Sequence, residues 1–442
     1  MHSNKINNMR ANKIISFSIL PPSFIFVISL LLSSFNGLAQ TPAPHQESPI
    51  AITGGTIHTI TQGVIAEGTI IFKDGLITDI GKDIPIPADA EVIDATGKHI
   101  YPGFIQGRST IGLMEIARIQ ESTDLQETGH INPNIRAQVA FHPVSEHLPV
   151  AAVHGVTTVV PTPRGSIIAG MPAAMMTDGW TWEQMTLREG IGMIIEWPSL
   201  GDQEAYKKQT ALLQDAFDRA RRYKTARQAA AENPELQQPM DVRWEAMIPV
   251  LNGEIPVFIS AGEVRQIQAS IAWAEKEGLR MVLAGNRDLD LVADQLAEKD
   301  IPVMITGVIS GPTRNWEGYD EGYKIPLKLY EAGVDFFIAG DAGAASTYRI
   351  HHHAASAVAF GLPEEKALSA ITADAARILG IDDMVGSLEP GKHATLMITN
   401  GNALEMWTKK EQVFIQGRNI EMLDKHKRLY KHYKEKHKQH QP

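Results

Sequence analysis

Val334-Asp335-Phe336-Phe337-Ile338-Ala339-Gly340-Asp341-Ala342-Gly343 is apolar from Phe336 to Ala339 and then stops at an aspartate between glycines. A strand with no apolar–polar alternation is expected to be covered on both faces, as in a parallel sheet packed between helices. The same texture recurs upstream. Val156 to Val160, Met193 to Trp197, Pro256 to Ser260, Arg280 to Ala284 and Pro302 to Thr306 are short apolar runs with helical patterns between them. Repeated strand–helix units predict a closed barrel or a doubly wound sheet, and periodicity does not separate the two. Gln203 to Glu232, rich in Ala, Lys and Arg, predicts one long helix or a helical hairpin outside that rhythm.

Both flanks of the α/β region change texture. Gly68-Thr69-Ile70-Ile71-Phe72-Lys73 alternates and meets Asp74-Gly75, a strong hairpin signal, before Leu76 to Gly81. After Ile381, Ala394 to Thr399 and Gln412 to Gly417 again read as strands. The simplest organisation is β, then α/β, then β, with the outer pieces pairing as one small domain. The chain then ends in a segment dense in Lys and His, from Asp424 to Pro442. That tail is expected to be solvated and partly helical.

Composition narrows the chemistry. There is no cysteine in 442 residues, so disulfides, thiol nucleophiles and thiolate metal sites are excluded. The net charge of -10 argues against a nucleic-acid partner. Lys5, Arg10 and Lys13 precede an apolar run from Ile14 to Leu32, and Gly37 and Ala39 suit a signal peptidase cut before Gln40. A secreted or periplasmic protein of a bacterial cell envelope is expected, with no transmembrane span after cleavage.

Several separated motifs occur in an order that resembles the amidohydrolase superfamily, and more narrowly its imidazolonepropionase-like branch. They are Gly54-Gly55-Thr56-Ile57, Phe72-Lys73-Asp74-Gly75-Leu76-Ile77, Ala95-Thr96-Gly97-Lys98-His99-Ile100-Tyr101-Pro102-Gly103-Phe104-Ile105, Ala375-Ala376-Arg377-Ile378-Leu379-Gly380 and Gly386-Ser387-Leu388-Glu389-Pro390-Gly391-Lys392. The resemblance implies an α/β fold, a (β/α)8 TIM-like barrel with a small composite β-sandwich made by both chain ends. The expected divisions are a signal peptide over 1–39, a flexible lead-in over 40–49, sandwich parts over 50–102 and 382–423, the barrel over 103–381 and a basic tail over 424–442. It also implies one or two divalent metals, usually zinc, at the barrel mouth. Two His after the first strand, one each from the fifth and sixth, and an Asp after the eighth would hold them.

The residues at those positions are different. Arg108 and Thr110 stand where the first two His belong, Ser260 at the fifth strand and Gly285 at the sixth. No Lys ends the third or fourth strand, so a bridging carbamylated lysine has no support. Arginine keeps its proton and does not ligate a metal, and glycine has no side chain. Only Asp341 is retained. The expected cofactor is therefore none. Arg108 is expected to pair with Asp341, putting fixed positive charge where the metal would lie. His351-His352-His353 point in different directions on a helix, so all three do not converge on one ion. Arg164, on the loop Pro163 to Gly170, His351, and Arg314, Trp316 and Tyr319 after the seventh strand are the candidate ligand contacts.

Three readings stay open at this point. One is a non-catalytic envelope protein that binds a small molecule or a partner chain at the barrel mouth. Another is a hydrolase of cyclic amides or similar C–N bonds with Asp341 as base. The third is a structural subunit that pairs with an amidohydrolase-like homologue.

Overall fold

The computed structural model describes residues 41–440 apart from 166, 234, 237 and 238. The expected signal peptide over 1–39 lies outside the described residues. Both ends of the described chain build one sheet of eight strands. Its N-terminal members are β1 (Ile50–His58), β2 (Val64–Lys73), β3 (Leu76–Gly81), β4 (Glu91–Asp94) and β5 (His99–Pro102). After the barrel strands β6 to β15, given next, its C-terminal members are β16 (Leu396–Thr399), β17 (Lys410–Ile415) and β18 (Arg418–Asn419). The order is β18-β17-β16-β5-β1-β2-β3, with β4 also paired to β1. The seam between the two chain ends is the antiparallel β5–β16 ladder. Phe72 and Phe414 meet edge to face across this sheet's core at 5.3 Å, so each end buries the other's apolar face.

The strands between these ends are β6 (Phe104–Ser109), β7 (Val156–Pro161), β8 (Ile168–Gly170), β9 (Ala174–Met176), β10 (Thr186–Arg188), β11 (Met193–Glu196), β12 (Val257–Ser260), β13 (Met281–Gly285), β14 (Val303–Ile305) and β15 (Phe336–Ile338). β6 and β7 pair in parallel, and β11 to β15 form a continuous parallel ladder. The fold is TIM-barrel-like, but it departs from eight equivalent parallel staves. Where a third would lie, β9 runs antiparallel to β7 and β8 antiparallel to β11. Pro172, between β8 and β9, has no N–H to give a ladder, and Gly170 sits at φ 131. The last seam is closed by a loop instead of a ladder. Ile338 donates to the Ala370 carbonyl and Ile105 to the Ile371 carbonyl, each at 2.9 Å.

Inside the barrel, Ile105, Val160, Ile194, Phe258, Val282, Met304 and Phe337 form one buried cluster. The long helix Gln203–Glu232 is a single helix, capped by Asp202, and it buries Leu213, Phe217 and Ala220. Thr41 to Pro49 has no regular structure, yet it is tied down, in place of the expected loose lead-in. Gln46 donates to the Phe72 carbonyl at 2.8 Å and accepts from the Gly75 N–H, and Ala43 donates to Asp178.

Candidate functional site

Side chains alternate along a strand, so the residue two beyond an interior one faces the same way. Ile194, Phe258 and Met304 fill the barrel interior. Glu196, Ser260 and Thr306 therefore face its C-terminal mouth. All three are partly exposed. Arg108, at the end of β6, reaches across to Glu196, with Nη2 3.6 Å from Oε1. The two side chains are 24% and 29% exposed, so the pair is open to water.

This pair replaces the expected one. Asp341 is exposed, and its carboxylate accepts from the Gly343 N–H at 3.1 Å and the Ser346 hydroxyl at 2.9 Å. Arg108 goes to Glu196 because β6 and β11 both end at the mouth, while Asp341 turns into the loop that follows β15. Glu196 is the candidate-site residue that the sequence did not disclose by motif. Its signal was a charge ending an apolar strand at an inward position.

Three of the four expected metal-ligand positions hold no ligand: Arg108 pairs with Glu196, and Thr110 and Gly285 are closed off by their neighbours. Thr110 is buried and its hydroxyl accepts from the Ala344 N–H at 3.0 Å. A Cβ at Gly285 would lie 2.7 Å from the Ala261 carbonyl oxygen, so no ligand side chain fits at that position. The inward residue there is Ala284, which shares the interior with Val282 and carries no donor. What remains is a guanidinium, a carboxylate paired to it and two hydroxyls. Among the described residues, no three His, Asp or Glu side chains are grouped to hold a metal ion. The donor set does not fit the family's zinc.

Two residues of the histidine run are buried in the fold. His351 is buried, lies 6.0 Å from the Phe104 ring and is pushed by burial to a pKa of about 2, so it does not face a ligand as expected. His353 is also buried, and burial lowers its pKa to about 4. The ring is therefore neutral, and Nδ1 is its bare nitrogen because it accepts from the N–H groups of Val308 and Ile309 at 3.2 and 3.3 Å. It pins the loop after β14. Nearby, Gln106 donates to the Arg108 and Asp341 carbonyls at 3.0 and 2.8 Å, which fixes the backbone on both sides of the last seam.

Arg314 is also committed to the fold. It grips the buried Asp288 with two bonds of 2.7 and 2.8 Å and reaches Glu317 at 3.0 Å. The hydrogen bonds from Arg314 help hold the Asp288 carboxyl below its usual range against the burial that would raise it. Trp316, 81% exposed, lines a cavity of about 410 Å³ together with Arg287, Thr313 and Arg314, and Tyr319, 75% exposed, stands on the same loop. Arg164 is exposed, and its N–H is held by the Leu125 carbonyl.

Residues 264–421 match the model of the amidohydrolase family. The amidohydrolase tasK of Hapsidospora irregularis is 22% identical over 389 residues, 79% of this chain. A dihydroorotase of Thermoanaerobacter sp. (strain X514) is 28% identical over 133 residues, 29% of this chain. The chain spans 39% and 30% of those relatives' own lengths. Among solved structures, an amidohydrolase from Thermotoga maritima MSB8 superposes with a TM-score of 0.77 at 25% identity, over 84% of this chain and 99% of that one. A molinate hydrolase shares the fold at a TM-score of 0.52 and 16% identity, over 86% and 96%. Ordered motifs, a barrel with a sheet built from both chain ends, and a superposition over nearly a whole amidohydrolase agree: the chain has the fold of the amidohydrolases, and its residues 264–421 carry that family's sequence pattern.

Proposed function

We propose that this is an exported, metal-independent member of the superfamily whose barrel mouth binds a small polar ligand. The observation that carries the reading is the Arg108–Glu196 pair at the mouth. At 3.6 Å it is an ion pair without a short hydrogen bond, and both heads remain partly solvated. A ligand carboxylate can take the place of Glu196 on the guanidinium in bidentate geometry. An amide N–H or ammonium on the same ligand can then bond Glu196, with Ser260 and Thr306 supplying hydroxyls. The ligand class is thus a small molecule that carries a carboxylate and an N–H donor, such as an amino acid or an N-acyl amino acid. Hydrolysis in the wider family draws on a metal-activated water, and the side chains at the ligand positions here favour recognition over that chemistry. The imidazolonepropionase-like motifs and the expected leader are part of the same proposal. No described helix is long and apolar enough to cross a membrane.

Two measurements test the reading. Prolonged treatment with a chelator should leave the thermal midpoint unchanged, and a stoichiometric metal that survives desalting would overturn metal independence. A thermal-shift screen of amino acids and N-acyl amino acids should yield a stabilising ligand. Arg108→Met should weaken that ligand by roughly 10- to 100-fold, since a hydrogen bond to a charged group contributes about 1.5–3 kcal/mol. Equal affinity in the variant would remove Arg108 from the site.

A further inference from the structure

The helix Lys425–Gln439 takes no part in the barrel or the sheet. It carries seven Lys or Arg and a single acidic residue, Glu435, in a chain whose net charge is -10. Only its first turn is anchored. Asp424 is buried and caps the helix by accepting from the Lys427 N–H at 2.8 Å, and Arg428 pairs with Glu146 at 2.6 Å. Every residue from Lys431 to His440 is exposed.

One stripe of this helix is apolar. Leu429, Tyr430 and Tyr433 lie one turn apart on neighbouring positions, and they are 44%, 66% and 52% exposed. Lys434 lies over the Tyr430 ring at 5.7 Å and Lys436 over the Tyr433 ring at 5.9 Å, so ammonium groups flank the aromatic row. Other contacts along the helix oppose it. Lys427 and Lys431, and Lys434 and Lys438, are like charges four residues apart, which destabilises an isolated helix. A helix of this length is marginal in water even without repulsion. A surface that supplies dense negative charge and an apolar boundary would satisfy the lysines and the tyrosines together.

We propose that this helix docks the protein on an anionic lipid surface. It would lie in the headgroup plane, with Leu429, Tyr430 and Tyr433 at the boundary and the lysine stems extended to the phosphates. The acidic body favours a lipid plane over a nucleic-acid strand. A plane meets only the projecting helix, whereas a long polyanion would also run over the rest of the surface. The inference does not depend on the ligand reading of the barrel mouth.

The test is flotation of the full chain with phosphatidylcholine–phosphatidylglycerol vesicles against pure phosphatidylcholine vesicles, at low and high salt. Binding is expected only to the mixed vesicles and should fall as salt rises. K431Q/K434Q/K438Q should weaken it by roughly 100-fold, at about fivefold for each lysine removed. Y430S/Y433S should weaken it too, and both variants should keep the wild-type thermal midpoint because the changed side chains are exposed and lie beyond the anchored first turn. No binding to mixed vesicles at low salt, equal binding to both vesicle types, or unchanged binding in the lysine variant would overturn the proposal. So would tighter binding to single-stranded RNA than to vesicles.

Discussion

Phe337→Ala should lower the unfolding free energy by about 3–5 kcal/mol, and Gly107→Ala should be costly at a site where no side chain is lost. Phe337 is fully buried in the barrel interior, among Ile105, Phe258, Val282 and Met304. Its ring lies where a side chain at Gly107 would start, and a Cβ there would come within 2.3 Å of Phe337 Cε2. The second ring of the interior repeats the device, since a Cβ at Gly192 would lie 2.3 Å from Phe258 Cε2. Neither glycine needs an unusual φ, so space alone makes each one necessary. Truncating Phe337 opens a cavity in a closed interior that has little freedom to collapse. Adding a methyl at 107 forces the ring off its rotamer, at about 1–3 kcal/mol. The two changes act on one volume and should couple. Urea unfolding of G107A, F337L and the double variant measures this, with the double variant expected to lose less than the sum of the two single losses. Strict additivity would show that the ring and the glycine do not share the space.

The glycines show where the sequence was legible and where it was not. The apolar runs disclosed the strands, because a strand buried on both faces has no other composition available to it. Both chain ends were legible as β structure from Asp74-Gly75 and the strands beyond Ile381. The site was legible to within a register. Arg108 and Ser260 lie at strand ends and Thr110 just beyond one, while Gly285 is one residue from the inward position, because a pattern apolar on both faces does not say which face is which. Glu196 matches no motif of the resemblance, which would put a lysine and not a glutamate at the end of a third or fourth strand. Arg314 read as a ligand contact because its partner, Asp288, is brought to it only by the fold. His351 read as a site residue for its chemistry, and burial against Phe104 decided otherwise. In each case the missing information was a tertiary neighbour.

Arg418→Met should destabilise the chain by about 3–5 kcal/mol at neutral pH, the cost of leaving one buried charge unpaired, and most of that loss should disappear in acid. Arg418 Nη1 lies 2.9 Å from Asp178 Oδ2, with the side chains only 9% and 12% exposed. That contact is ionic more than a well-aligned hydrogen bond, since Oδ2 has no hydrogen-bond partner. Nη2 adds a bond to the Asp178 carbonyl at 2.9 Å, and the other carboxylate oxygen accepts from Ala43 at 3.3 Å. One carboxylate thus joins the lead-in, the barrel loop after β9 and the last strand of the sheet. Burial raises the Asp178 pKa, and Arg418 pulls it back down. Without the guanidinium the pKa rises further. The sign follows from a folded value above the unfolded one. Below the unfolded value the carboxyl is neutral in both states and there is no penalty. As pH rises through the interval between the two values, the folded state must carry a charge it solvates poorly, and stability falls. Thermal midpoints of wild type and variant should therefore converge as pH drops into the carboxylate range and separate toward neutrality. D178N/R418M removes both charges and should recover much of the loss at neutral pH. A gap between wild type and R418M that is the same at both ends of the titration would mean that lost packing of the arginine stem, and not an orphaned carboxylate, causes the destabilisation.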